Sequence, residues 1–285
     1  MRWTGRRQSG NVEDRRGFSG ATMAGGGIVG LITIAIALFL GVDPGALMPD
    51  GVDPGAATGV TGTMDPVEEQ RKEFSAVVLA DTEDVWNRLF EQQLGKDYRE
   101  PTLVLFSQAS QSGCGFASAA SGPFYCPADE KVYIDLQFFQ ELQTKFQAAG
   151  DFAEAYIIAH EVGHHVQNQV GVLAEVHGRR GQVSEAESNE MSVRTELQAD
   201  FLAGVWAHHA QKAKNILEPG DLEEALGAAS AVGDDRLQRR GQGYVVPDSF
   251  THGTSAQRSR WFRLGFETGD LSRMMDLFKL DYGEL

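Results

Sequence analysis

The spacing of apolar residues predicts a mainly helical body that begins near residue 65. Along Pro66–Leu94, apolar side chains recur every three to four residues, which is the period of an amphipathic helix. Thr82 could cap a second helix within this stretch, so a break near Asp81 stays open. The same period predicts further helices at 138–146, 152–170, 184–213, 222–232 and 255–268.

Two short segments have the character of β-strands. Pro101–Ser107 and Lys131–Leu136 are rich in β-branched and aromatic residues and are bounded by turn-forming residues. Together with the helices, they predict an α+β fold that is predominantly helical and contains a small β element. We expect one of the two strands to present a free edge, to which an extended peptide could add as a further strand.

An uncharged run separates a basic N-terminus from this body. Residues 21–42 carry no charged side chain, and Ile28–Leu40 is apolar except for Gly30 and Thr33. A helix of this length would span a hydrocarbon core of about 30 Å. A cleaved signal peptide and a buried core helix are the alternatives. The run is followed by Gly-Val-Asp-Pro, which is a poor cleavage site, and a buried helix would not lie between a tail with five arginines and a Pro/Gly-rich tract. The sequence therefore predicts one transmembrane helix.

The charge distribution predicts the topology of the chain. Residues 1–42 carry a net charge of +3, so the rest of the chain carries −18 of the total of −15. Basic flanks stay in the cytoplasm, which places the body outside the bacterial cytoplasmic membrane. An acidic body repels phosphate backbones, so we expect no nucleic acid partner. The predicted order is a cytoplasmic tail, an anchor, a Pro/Gly-rich tether and a single domain, at 1–20, 21–42, 43–64 and 65–285.

The two cysteines, Cys114 and Cys126, lie in the Gly/Ser/Pro-rich loop between the predicted strands. Outside the cytoplasm a disulfide between them is the simplest interpretation, and closing so short a loop contributes about 3 kcal/mol at most. A metal pair is the alternative, but no histidine lies near these cysteines in the sequence. We therefore expect a disulfide.

The segment AYIIAHEVGH contains the pattern His-Glu-x-x-His. On a helix, His160 and His164 lie on nearly the same face, about 6 Å apart along the axis, and can converge on one zinc ion. Glu161 lies beside them, so its carboxylate can reach a zinc-bound water without occupying a coordination position. Two surface histidines are the alternative, but the apolar run Tyr156–Ala159 before the motif indicates a buried helix.

A third zinc ligand must come from elsewhere in the chain. The extended motif with a third histidine is excluded, because the required residues do not follow His164 at its spacing. Glu196 and Asp200 are four residues apart on a second predicted helix, just before the apolar stretch 201–206. We assign Glu196 as the third ligand and Asp200 as the hydrogen-bond partner of His160. Asp200 as the direct ligand stays open.

The chain resembles the YpfJ-type family of bacterial neutral zinc metallopeptidases. The resemblance implies a zincin-like fold with a glutamate as third ligand, and it supports Glu196 over Asp200. It brings no defined substrate beyond a polypeptide. Phe201 stands at a position that varies in relatives and is often Cys, which affects packing rather than chemistry. The matching stretches run in order along nearly the whole chain: MRW and NVEDRRG at the start, the glycine-rich anchor, and then GPFYCPAD, YIDLQFF, AYIIAHEVGHHVQN, ELQADFLAGVWA and PDSFTHGTSAQRSRWF.

These features predict a membrane-anchored zinc endopeptidase with one Zn²⁺ per chain and a polypeptide substrate. Glu161 acts as the general base that takes the proton of the attacking water. The developing oxyanion needs donors besides zinc, and His252 and Arg258 are the candidates, with Tyr156 and Tyr244 as further ones. The alternative function is a catalytically silent module of the cell envelope that binds zinc and peptides on the same scaffold.

Overall fold

The computed structural model describes residues 1–16, 65–118 and 122–285. Its strands are β1 Val12–Asp14, β2 Thr102–Phe106, β3 Ala109–Ser112, β4 Gly115–Ser118, β5 Phe124–Cys126 and β6 Lys131–Asp135. Its helices are α1 Pro66–Leu89, α2 Gln137–Thr144, α3 Asp151–Val170, α4 Val172–Arg179, α5 Glu185–Lys214, α6 Asp221–Ala231, α7 Asp234–Gln242 and α8 Ser255–Thr268. A π-helical turn extends α1 over Phe90–Leu94, and 3₁₀ segments lie at Pro247–Ser249, Leu271–Phe278 and Tyr282–Glu284. The architecture is mostly helical α+β.

The main sheet has four strands in the order β1-β2-β6-β5. β1 and β6 run parallel to β2, while β5 is antiparallel to β6, and β3 and β4 form a separate hairpin. Both strands predicted from the sequence, β2 and β6, are therefore interior strands, and the expectation that one of them has a free edge is wrong. The edges among the described residues are β1 and β5, each of three residues, which is too short to produce a hydrophobic pattern.

Local signals set the limits of the long helices. Asp65 accepts a hydrogen bond from the backbone N–H of Val67 at the start of α1, and Ser184 forms a capping box with Glu187 at the start of α5. The break in α1 that Thr82 left open does not occur. The hydroxyl of Thr82 is buried and donates to the carbonyl of Leu79 at 2.7 Å, so it supports the helix instead of capping a new one.

Two close helix crossings bring α3, α5 and α8 together. A Cβ on Gly163 of α3 would lie 3.0 Å from the carbonyl oxygen of Ala199 on α5, so glycine permits this approach. Gly204 of α5 and Gly265 of α8 lie at a second crossing, where a Cβ on either would overlap the backbone of the other helix. The first crossing lies between the turns that carry the His-Glu-x-x-His motif and the two carboxylates, and therefore positions them against each other.

Residues 1–16 belong to the same folded body as the helices. β1 pairs with β2 through residues 12–14, and the N–H of Arg2 donates to the carbonyl of Ile216 at 2.7 Å. Arg6 forms an ion pair with the buried carboxylate of Asp81. Arg16 is buried and binds Glu69 at 2.6 Å. The N-terminal arginines are thus held by carboxylates of the domain.

The predicted transmembrane helix and localisation must be corrected. Across residues 1–16, 65–118 and 122–285, no helix is both long and apolar enough to cross a membrane. The predicted anchor, 21–42, and tether, 43–64, lie outside the described residues. Because residues 1–16 pack on the domain, the two cannot lie on opposite sides of a membrane, as the predicted topology required. The membrane orientation was predicted from the excess of arginine alone. In the folded chain, ion pairs with carboxylates of the domain hold these arginines against it.

Two glycine-to-alanine substitutions should have opposite effects on the free energy of unfolding, because one lies in the crossing of α5 and α8 and the other lies outside it. A Cβ in Gly265→Ala would overlap the carbonyl oxygen of Phe201, so we expect a loss of about 1–3 kcal/mol of unfolding free energy despite the better helix former. Gly227 of α6 has nothing within 4 Å of its Cβ position, so Gly227→Ala should gain up to about 1 kcal/mol. Urea denaturation measures both, and equal stability of the two variants would contradict the crossing.

Candidate active site

Helices α3 and α5 supply the candidate metal ligands. The rings of His160 and His164 are one turn apart on α3, with centroids separated by 4.9 Å. Across from them on α5, one oxygen of Glu196 lies 3.2 Å from Nε2 of His160, and the other lies 3.4 Å from Nε2 of His164. One ligand atom of each residue lies within 4.8 Å of the other two. Two imidazoles and a carboxylate so arranged are a donor set that zinc accepts.

Asp200 lies on the opposite edge of the His160 ring from Glu196. Its Oδ1 accepts a hydrogen bond from Nδ1 of His160 at 2.8 Å and another from the hydroxyl of Tyr156 at 2.5 Å. Its Oδ2 accepts from Nε of Arg258 at 2.8 Å. Burial raises the pKa of Asp200, but Arg258 and His160 outweigh it and lower the pKa below the usual value. The carboxylate is therefore an ionised, fully engaged partner of His160.

The electrostatics of the three candidate ligands favour a cation between them. Burial opposes the charged form of His160, but the carboxylates of Asp200 and Glu196 raise its pKa to about 9. Burial likewise opposes charge on His164, whose pKa is raised by Glu196. Burial opposes ionisation of Glu196, yet the imidazoles lower its pKa well below the usual value. A field that stabilises protons here also stabilises a divalent cation, which competes with protons for these atoms. The residues therefore fit zinc.

Glu161 differs from its neighbours in that its carboxylate has no hydrogen-bond partner in the part of the chain that the structure describes. It is buried to 7% exposure beside the candidate ligands and lines the cleft that opens over them. Among the described residues, no side chain or backbone group is hydrogen-bonded to its carboxylate. This is the arrangement that a proton acceptor for a bound water requires, within reach of the metal position and outside the ligand set.

The cleft over these residues has a volume of about 430 Å³. Its wall includes the edge strand β5 and the residues just before it, and also the end of α4. A larger cavity of about 770 Å³ lies between α8 and the 3₁₀ segment Leu271–Phe278 and includes none of the candidate ligands. The apolar and aromatic side chains of the cleft are those of Pro123, Phe124, Tyr125, Pro127, Phe138, Ile157, Leu173 and Val232.

The four candidates for the oxyanion site occupy different positions. His252 lines the cleft, half exposed, with Nδ1 3.2 Å from Asp234, which raises the pKa of His252. Arg258 lines the cleft floor but is 3% exposed and bound to Asp200. Tyr156 is fully buried and bonded to the same carboxylate. Tyr244 is 62% exposed and is not part of the cleft wall. His252 is the candidate whose position allows contact with a substrate.

Three residues at the site have no role in the sequence analysis. Gln167 accepts a hydrogen bond from Nδ1 of His164 at 2.8 Å, and its position one helical turn later is a signal that could have identified it. His177 and Arg180 lie at the end of α4 and line the cleft. No local pattern marks these two, because their place depends on how α4 packs beside α5.

Cys114 and Cys126 form a disulfide in the structure. Cys114 lies in the turn between β3 and β4, and Cys126 is the last residue of β5. The bond therefore ties the hairpin to the strand that borders the cleft, with 5.8 Å between the two Cα atoms.

Comparisons with known proteins identify relatives along most of the chain. Residues 1–277 match the family described as "Putative neutral zinc metallopeptidase". The "Uncharacterized protein YpfJ" of Escherichia coli K12 is 49% identical over 280 residues, which cover 95% of this chain and 96% of that protein. The "Uncharacterized protein Mb2605" of Mycobacterium bovis and "Uncharacterized protein Rv2575" of Mycobacterium tuberculosis are each 42% identical over 253 residues, 82% of both chains. No solved structure matches significantly.

The two carboxylates of α5 predict unequal effects on zinc binding. Glu196→Ala removes one of three converging donors, so zinc affinity should fall by more than the 10- to 100-fold that loss of an outer hydrogen-bond partner costs. Asp200→Asn keeps the ligand set and should fall within that 10- to 100-fold range. Competition with a chromophoric chelator measures both dissociation constants. The reverse order would make Asp200 the ligand.

Proposed function

Because the chain belongs to the family of neutral zinc metallopeptidases, we propose that it is a zinc-dependent endopeptidase that hydrolyses peptide bonds in polypeptides. Zinc is the cofactor of this family. The proposed ligands are His160, His164 and Glu196, the proposed general base is Glu161, and Asp200 is the proposed partner of His160. The observation that carries the proposal is the position of Glu161, which lines the cleft beside three converging donor groups and has no hydrogen-bond partner among residues 1–16, 65–118 and 122–285.

The side chains of the site divide the proposed reaction between them. Zinc, when bound, supplies a Lewis acid and lowers the pKa of water toward about 7. Glu161 takes the proton of the attacking water on its carboxylate and passes it to the nitrogen of the leaving amine. His252 donates a hydrogen bond to the developing oxyanion, since its Nδ1 is held by Asp234 and its other ring nitrogen is free among the described residues. The proposed role of Arg258 is indirect: it binds the carboxylate of Asp200, which in turn orients His160.

The edge strand β5 supports a polypeptide as the substrate. One side of β5 pairs with β6, and β5 has no strand on its other side among the described residues. Phe124 and Tyr125 of β5 line the cleft, so an extended peptide that adds to this edge would run past the candidate ligands. Backbone hydrogen bonds of this kind tolerate many side chains, which is consistent with an endopeptidase.

The rival proposal is a silent module that binds zinc and peptides without hydrolysis. Structural zinc sites are usually closed by four protein ligands and rich in cysteine. The candidate site here has three donors and a cleft beside them, and the two cysteines are joined to each other. A site that only binds zinc needs no base, whereas Glu161 lies next to the candidate ligands with no partner for its carboxylate among the described residues. These observations favour the enzyme.

The base assignment predicts that Glu161→Gln separates zinc binding from hydrolysis. The full chain with zinc should cleave an unfolded protein such as casein, lose this activity with a chelator, and regain it when zinc is added. Glu161→Gln should bind zinc within about threefold of wild type, because Glu161 is not among the proposed ligands, and cleave 10²- to 10⁴-fold more slowly, because the proton acceptor is lost. Initial rates of peptide-bond cleavage measure the effect.

Glu175→Gln is the matched control for that substitution. Glu175 lies on the surface of α4, where it pairs with Arg179 and does not line the cleft. Its substitution should leave both zinc affinity and cleavage unchanged. A zinc-loaded wild type that cleaves nothing would favour the silent module, and a Glu161→Gln variant as fast as wild type would exclude Glu161 as the base.

A further inference from the structure

The two candidate histidine ligands have different partners on their Nδ1 atoms. Nδ1 of His160 faces the carboxylate of Asp200, whereas Nδ1 of His164 lies 2.8 Å from the amide oxygen of Gln167. Gln167 is fully buried and lies one turn after His164 on α3. A neutral amide can donate or accept, so its orientation decides which nitrogen of His164 carries the proton.

Backbone geometry fixes the orientation of the Gln167 amide. Its Nε2 lies 2.6 Å from the carbonyl oxygen of Thr195 and 3.0 Å from Oε1 of Gln198. A backbone carbonyl can only accept, so the NH₂ group of Gln167 must face Thr195. The amide oxygen then faces His164 and can only accept from it.

A second glutamine locks the first. Gln198 is also fully buried, and its Nε2 donates to the carbonyl of Met274 at 2.6 Å. Its own oxygen therefore faces Nε2 of Gln167. Because this relay begins and ends at backbone carbonyls, neither amide can flip without leaving buried groups unpaired, at a cost of about 1–3 kcal/mol each. Met274 lies in the 3₁₀ segment Leu271–Phe278, far along the sequence from α3.

We propose that Gln167 is a positioning residue that holds His164 as the tautomer protonated on Nδ1. In this tautomer, Nε2 of His164 keeps a lone pair that is directed toward Glu196 and the candidate metal position. This nitrogen lies 3.4 Å from the carboxylate of Glu196. The other tautomer would place a proton on Nε2 and could not bind a metal there. Gln198 and the segment Leu271–Phe278 maintain this choice from the far side of α5. The inference rests on zinc binding at the proposed site but not on hydrolysis.

Zinc affinity of Gln167 variants of the full chain tests this role. Gln167→Met keeps the size of the side chain and removes the acceptor, so the zinc dissociation constant should rise 10- to 100-fold. Gln167→Glu returns an acceptor to Nδ1 of His164 but sets its second oxygen against the carbonyl of Thr195, so it should recover only the part of that loss that a carboxyl protonated on this second oxygen allows. Gln198→Met leaves Gln167 in place but removes the group that orients it, so an intermediate loss is expected. Chelator competition measures all three.

Gln169→Met is the matched control on the same helix. Gln169 is half-buried and binds the backbone of Arg99 and the ring of His165, neither of which is a candidate ligand, so zinc affinity should stay within twofold of wild type. ¹⁵N NMR of the zinc-loaded wild type should show a proton on Nδ1 of His164. An unchanged zinc affinity in Gln167→Met, or a His164 without a proton on Nδ1, would overturn the proposal. Because the zinc-binding and NMR measurements use no substrate, a wild-type chain that cleaves nothing would contradict the proposed hydrolysis but not the role of Gln167.

The charge of the cleft wall carries a second, independent inference. Besides the three candidate ligands and Glu161, the titratable residues that line the cleft are Tyr125, His177, Arg180, His252 and Arg258. Arg258 is neutralised by Asp200, and His252 is paired with Asp234. His177 and Arg180 are exposed, and Arg180 has a hydroxyl, Ser192 at 3.0 Å, as its partner among the described residues. In a chain of net charge −15, the part of the cleft wall that lies outside the candidate ligands and Glu161 is basic.

The geometry points to a substrate with an aspartate or glutamate close to the scissile bond, bound by Arg180. A carboxylate there would meet a guanidinium whose described partner is a hydroxyl, and the carboxylates that line the cleft among the described residues are those of the candidate ligand Glu196 and the proposed base Glu161. The assignment deepens the proposed peptidase function, and it concerns recognition of the substrate rather than the hydrolysis itself.

Charge reversal at Arg180 tests the preference. In the Glu161→Gln background, binding of fluorescent peptides that differ only in one Glu, Gln or Lys is followed by anisotropy. The Glu peptide should bind about fivefold more tightly than the Gln peptide, the value of an ion pair of about 1 kcal/mol, and Arg180→Glu should reverse the order of Glu and Lys. The same reversal is expected in kcat/KM of the active chain.

Arg179→Glu is the matched control, since Arg179 is the preceding residue, is exposed and does not line the cleft. It should keep the order of wild type. Equal binding of the three peptides, or the same reversal in both arginine variants, would overturn the assignment of Arg180. Selective binding by a chain that cleaves nothing would leave this assignment standing and reject the proposed hydrolysis.

Discussion

The carboxylate of Asp200 is the interaction on which the rest of the site depends. It is fully buried on α5 and accepts hydrogen bonds from Tyr156 and His160 of α3 and from Arg258 of α8. An isolated buried charge costs several kcal/mol, so the carboxylate is tolerable only with all of these donors in place. Three helices are thereby held in one arrangement. Loss of one partner would leave an uncompensated charge in the core, which makes this arrangement specific.

The fixed arrangement of α3, α5 and α8 lets the candidate ligands come from regular helices rather than from loops. His160 is oriented by Asp200 and His164 by Gln167, so both imidazoles are held from their outer nitrogen while the inner one faces Glu196. Side chains locked by packing and hydrogen bonds keep a metal site in its productive geometry better than loop residues do. Glu161 lies beside this set in the wall of the cleft, and its carboxylate has no hydrogen-bond partner among the residues that the structure describes.

The N-terminal segment shows how a local pattern can mislead. Five arginines before an uncharged run indicate a cytoplasmic flank when each residue is considered alone. In the folded chain, Arg6 and Arg16 are paired with carboxylates of α1, and β1 extends the sheet beside β2. Partners so distant in sequence leave no periodic signal. For the same reason the three-residue strands β1 and β5 were not predicted, and the interior position of β2 and β6 was missed.

The sequence alone determined the long helices, the two interior strands and the face on which His160, Glu161 and His164 lie, because helical period and ligand spacing are local properties. It also indicated Glu196 and Asp200 as a pair through their four-residue spacing. Only the tertiary structure decided which carboxylate faces which edge of His160. It also decided that Arg258 is bound to Asp200 and that Arg180, directly after α4, lines the cleft. The first two outcomes depend on how closely α3, α5 and α8 approach, and that distance is set by Gly163, Gly204 and Gly265 against partners far away in the chain. The third depends on how α4 packs beside α5.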